Sequence, residues 1–152
     1  MDDTSRFPAL SPLARQAGYL GVLPFVAALA AVLSGDADLR VIGERLALGW
    51  GAAILAFVAA VHWGLALAGR WRWSVAVVMS STLPSLVGAL AVVLGGSRGT
   101  ALLVVGFGFF WLYEHRRQGD ELPPDYLQLR RALSLTVCIL LALITIGLGE
   151  TA

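Results

Sequence analysis

Five apolar stretches of about twenty residues each, separated by short arginine-bearing segments, take up nearly the whole of this 152-residue chain. A hydrocarbon layer about 30 Å thick is crossed by about 20 helical residues, and unpaired backbone groups cost several kcal/mol each inside it, so only helices and closed barrels span it. The stretches lack the alternating polarity of barrel strands. The chain therefore reads as all-α, a polytopic membrane protein built as a bundle of five transmembrane helices over about residues 17–34, 46–68, 74–94, 97–115 and 132–148. Residues 1–16 form an N-terminal segment, 17–148 a single transmembrane domain and 149–152 a short tail. The fourth stretch is the least apolar: its core runs only from Thr100 to Tyr113, so a crossing there draws in Gly95, Gly96 and Ser97 at one end and Glu114 and His115 at the other.

Composition agrees, with 58% hydrophobic and 14% charged residues against about 25% charged in an ordinary soluble domain. Eleven basic residues, all arginine, nearly balance ten acidic ones, so nucleic acid is not an indicated partner. The single cysteine, Cys138, lies in an apolar run and allows no internal disulfide. Positive charge is retained on the cytoplasmic side of a membrane protein. Arg6, Arg15, Arg70, Arg72, Arg116, Arg117, Arg130 and Arg131 fall on one side of the predicted bundle, and Arg40, Arg45 and Arg98 on the other. This places the N-terminus inside and the C-terminus outside, with the cytoplasmic arginines facing anionic lipid headgroups. Ser11 and Pro12 read as an N-cap and first-turn proline of a surface helix leading into the first span, which is too long for a cleaved signal peptide. Trp50, Trp71 and Trp73 fit an aromatic belt at the interfaces.

Helices in lipid associate through small residues, and Ala52, Ala56, Ala60, Gly64 and Ala68 recur every fourth position along the second span, marking it as the central helix. His62 is the one ionisable residue read as deep within a span, about 10 Å from the inner end, and such residues face a bundle interior or an aqueous cavity. Pro24 and Pro84, as helix kinks, free backbone carbonyls near Leu20 and Ser80 at a comparable depth. With Ser80, Ser81 and Ser85 they outline a polar pocket open to the inside; the alternative is that the hydroxyls bond their own helix and His62 one neighbour. Tyr126 and Arg130, four apart, share a face at the start of the last span. No cysteine, histidine and carboxylate cluster has metal-ligand spacing, no glycine-rich phosphate loop is present, and no carboxylate is read at the depth of His62 to make a serine nucleophile workable, so neither a metal, a cofactor nor an enzymatic activity is expected.

Gly21-Val22-Leu23-Pro24-Phe25, Val61-His62-Trp63-Gly64-Leu65-Ala66, Leu83-Pro84-Ser85-Leu86 and Tyr126-Leu127-Gln128-Leu129-Arg130, taken in order, resemble domain of unknown function 3429, the family that includes transmembrane protein 69. The chain departs from that pattern at Glu114 and Asp125. The resemblance implies a bacterial inner-membrane or mitochondrial inner-membrane location without supplying a mechanism, and it marks His62, Trp63, Pro24, Pro84, Ser85, Tyr126 and Arg130 as positions of interest. The expectation is a multi-pass protein of the bacterial inner membrane that binds a small amphipathic ligand in an inward-facing pocket. Two alternatives stand beside it: a non-catalytic assembly or stability factor, acting with a membrane-protein partner or as a homo-oligomer, and a binder of porphyrin or lipid like the tryptophan-rich sensory proteins.

Overall fold

Helices start where a residue with a side-chain acceptor precedes a helix-forming run at Ser11, Asp36 and Ser74, and the computed structural model describes residues 10–118 and 122–149. The described residues form α1 (Pro12–Leu20), α2 (Leu23–Val32), α3 (Ala37–Leu67), α4 (Val75–Leu94), α5 (Gly96–Gln118) and α6 (Pro124–Gly149), with no strand among them. Ser11 caps α1 through Ala14 N–H at 3.1 Å, Asp36 caps α3 through Asp38 and Leu39 N–H at 2.9 Å each, and Ser74 caps α4 through Val77 N–H. These side chains satisfy donors that the first turn of a helix leaves free.

Among the described residues four segments are long and apolar enough to cross a membrane: Pro12–Val32, Ala37–Leu67, Val75–Leu94 and Pro124–Gly149. The expected first span is a broken helix rather than a bent one. Pro24 has no N–H to give Leu20, Phe25 N–H turns to the Val22 carbonyl, and the Gly21 carbonyl left over accepts the Trp50 indole N–H at 2.9 Å. Trp50, expected in an interfacial belt, is thus half-buried and closes the break between α1 and α2.

α3 is the central helix, packed against α2, α4, α5 and α6, but not through the stripe expected of it. The stripe is displaced by one residue, about 100° around the helix, from the row that packs. Ala52 and Ala56 are half-buried, while Ala60, Gly64 and Ala68 are exposed. The packing face runs instead through Gly43, Ala47, Gly51, Leu55, Ala59, His62 and Ala66. At Gly43 a Cβ atom would stand 2.7 Å from the Ala28 carbonyl oxygen, so only glycine lets α2 approach this closely. Gly43→Ala therefore lowers stability by about 1–3 kcal/mol, whereas Gly64→Ala and Ala60→Leu leave the melting temperature in detergent unchanged.

At the end of the bundle opposite His62, two polar side chains of α3 fasten its neighbours. Glu44 Oε1 accepts the Gly96 N–H at the start of α5 at 2.7 Å, and Arg40 Nη2 donates to the Leu148 carbonyl near the end of α6 at 2.8 Å. A Thr145 to Thr100 hydrogen bond of 2.8 Å joins α6 to α5 within the apolar interior.

Candidate functional site

The inward face of α3 carries a histidine one turn before its last buried residue, and the stripes of α4, α5 and α6 each place a polar residue at the same level. His62 lies five residues before the end of α3, Ser80 five after the start of α4, Glu114 four before the end of α5 and Arg130 six after the start of α6. His62 is completely buried, Glu114 is 1% exposed and Arg130 7%. The four meet in one chain of contacts. Ser80 Oγ lies 2.8 Å from His62 Nδ1, His62 Nε2 faces Glu114 Oε1 at 3.4 Å, and Arg130 donates from Nε and Nη2 to Glu114 Oε2 at 3.2 and 3.1 Å.

Charge decides how the protons are placed. Arg130 and Glu114 cancel, so a neutral imidazole leaves the cluster uncharged, as a low-dielectric interior requires. Only the tautomer protonated on Nε2 points an N–H at Glu114 while leaving Nδ1 to accept the Ser80 hydroxyl proton. Apart from each other, His62 Nε2 and Glu114 Oε1 have no hydrogen-bond partner among the described residues. The imidazole is held by aromatic rings as well, with Trp71 and Phe110 each at 5.2 Å between centroids and Tyr113 at 6.4 Å, and the Arg130 guanidinium lies 5.6 Å from the Phe110 centroid.

Glu114 overturns two expectations. His62 is not the only ionisable residue inside the bundle, and a carboxylate does stand at its depth. Expected only as the polar edge of the fourth stretch, Glu114 lies within α5, which continues to Gln118, and Leu103, Phe107, Phe110 and Glu114 follow one another on a single buried face. That spacing of four, three and four is the signal that identifies it. Arg130, counted among the surface arginines, is likewise drawn inward on the α6 face that continues through Ser134, Val137, Leu141 and Ile144.

The remaining sequence candidates fall into three groups. Ser81 is buried but bonds the Val77 and Val78 carbonyls of its own helix at 2.8 and 3.0 Å, and Ser85 is half-buried without a place in the cluster. Trp63 is 41% exposed and packs edge-on against Trp73 at 5.0 Å, away from His62. Tyr126 is half-buried one turn before Arg130, and Pro24 belongs to the α1–α2 break. Pro84 lies inside α4, where it withholds an N–H from the Ser80 carbonyl. Of the loop residues, Asp120 and Glu121 lie outside the described residues.

Between α4 and α5 a cleft of about 540 Å³ is lined by Met79, Leu83, Val105 and Phe109, with Pro84 against it and Ser80 and Tyr113 as its polar members. Of the residues expected to outline an inward polar pocket, Ser80 and Pro84 line this cleft, whose remaining walls are mainly apolar side chains. The Ser80 hydroxyl joins the cleft to the buried ion chain. Although Ser80, His62 and Glu114 run in the order of a hydrolytic triad, the hydroxyl sits on Nδ1 and the carboxylate on Nε2, and Ser80 lies within a continuous helix whose amides are committed to backbone bonding. The arrangement is suited to hydrogen bonding and proton exchange.

A bundle of apolar helices organised around a buried histidine–glutamate–arginine chain defines a multi-pass type of membrane protein. The chain belongs to the family described as protein of unknown function DUF3429, whose sequence profile matches residues 11–146. No curated protein and no solved structure matches it.

Proposed function

We propose that this protein crosses the inner membrane of a bacterium five times, with the arginine-rich His62 end in the cytoplasm, and binds a small amphipathic molecule from the bilayer without transforming it. The observation that carries this reading is the α4–α5 cleft, whose apolar walls meet a hydroxyl tied to a buried ion chain. A pocket of several hundred Å³ with few polar groups matches the general form of small-molecule sites. Leu83 and Val105 on its walls are 48% and 62% exposed, as suits a cleft that a lipid-like molecule enters sideways. Arg15, Arg70, Arg72, Arg116 and Arg131 are exposed at the His62 end, against Arg45 and Arg98 at the other, which supports the orientation and gives anionic headgroups a basic rim.

The test is purification in mild detergent followed by mass spectrometry of the extracted small molecules. One amphiphile class recovered from the wild type in stoichiometric amount, and depleted from Val105→Trp, is the expected result. Because Val105 is exposed, the indole fills the cleft without touching the core. Equal recovery from both proteins rules the cleft out as the binding site.

A further inference from the structure

We propose that the occupant of the cleft is an amphipathic carboxylic acid, and that it gives its proton to His62 through Ser80. The inference rests on the cleft reading above and adds the chemistry of the head group. The groups around His62 are Trp71 from the α3–α4 connection, Ser80 from α4, Phe110, Tyr113 and Glu114 from α5, and Arg130 from α6 behind Glu114. Read outward from Arg130, the chain is cation, anion, imidazole, hydroxyl and cleft. Protonation of His62 would make the alternation of charge complete but leave a net positive charge in the interior, because among the described residues only Glu114 is buried there to balance two cations. A carboxylate at Ser80 supplies the missing negative charge, and it is the cleft, not the protein, that has room for one.

The step balances. The acid O–H breaks as its proton joins Ser80 Oγ, while the proton that Ser80 held passes to Nδ1 over 2.8 Å. No electrons are exchanged and no further reactant is needed. Afterwards the ligand carboxylate accepts from Ser80 Oγ–H, Ser80 accepts from Nδ1–H, and Nε2–H donates to Glu114 Oε1, the atom 3.4 Å away that has no other partner among the described residues. The contact between His62 and Glu114, already assisted by the charge of the carboxylate, then becomes an ion pair with both partners charged. An ester or ether of the same chain length fits the apolar walls equally well but has no proton to pass.

The experiment uses the full chain in nanodiscs of uncharged lipid, with ¹⁵N-labelled histidine, and compares a long-chain fatty acid with its methyl ester. The acid binds about tenfold more tightly than the ester, the difference expected from one hydrogen bond to a charged group, and only the acid moves the His62 ring nitrogens to their protonated shifts. In Ser80→Ala the acid loses its advantage while ester binding persists, which also shows that the variant is folded; Ser80→Thr restores the advantage. If the wild type binds acid and ester equally, or if Ser80→Ala keeps the preference, the proton-transfer proposal is overturned and the cleft reading stands. If neither compound binds, the cleft reading itself fails for this chemistry.

Discussion

Replacing Glu114 with leucine is expected to cost about 3–5 kcal/mol of fold stability, because it strands the Arg130 guanidinium in an interior where both residues are less than a tenth exposed. The loss appears as a large drop in the SDS fraction needed for half-unfolding in mixed micelles. The pair itself need not be strongly stabilising, since desolvation offsets much of its attraction. Adding Arg130→Met to Glu114→Leu therefore recovers most of the stability, leaving a residual of about 1–3 kcal/mol for the His62 N–H without an acceptor. A double-mutant cycle measures this coupling directly. If the double variant is as unstable as the sum of the two single ones, the ion pair is not the unit that the geometry indicates.

The outline of the bundle was readable from the sequence, and the error at its centre has a definite cause. Apolar runs, and a cap such as Ser11, locate helices because burial and first-turn hydrogen bonding are local properties. His62 was legible because nothing else near it in the chain is polar. Glu114 was not, because it stands beside His115 and Arg116, and a run of charges reads as the polar edge of a span unless the helical face is followed through it. On that face it succeeds Phe110 directly. Which members of the 80–85 segment face His62 was also hidden: Ser80 and Ser81 are adjacent and both approach the Val77 carbonyl, yet only Ser80 also reaches the imidazole. The small-residue stripe failed because small side chains suit a lipid-facing surface as well as an interface, and the stripe stands one residue to the side of the row that is buried.

The number of crossings is where sequence and structure together give the sharpest expected result. α5 is the helix in doubt, because its ends carry Arg98 and the Glu114, His115 and Arg116 run and it is not among the four segments apolar enough by composition. Glu114 should not count against it, since its charge is neutralised by Arg130 and turned away from lipid. α3 and α5 are tied at two levels: Glu44 to Gly96 at one end and His62 to Glu114 at the other. On each helix the two levels are eighteen residues apart, 62 less 44 and 114 less 96, so the two helices run in the same direction and in step for about 27 Å. That is nearly the full hydrocarbon thickness. If α3 crosses the membrane, α5 crosses with it, and the two ends of α5 face opposite compartments. In intact cells carrying Cys138→Ser, a membrane-impermeant maleimide should label Arg98→Cys readily and Arg116→Cys only after the membrane is opened. Labelling of both from one side would mean that α5 does not cross and would remove the basis for the five-crossing topology. Labelling in the reverse order would keep five crossings but turn the His62 end, and with it the basic rim, to the outside.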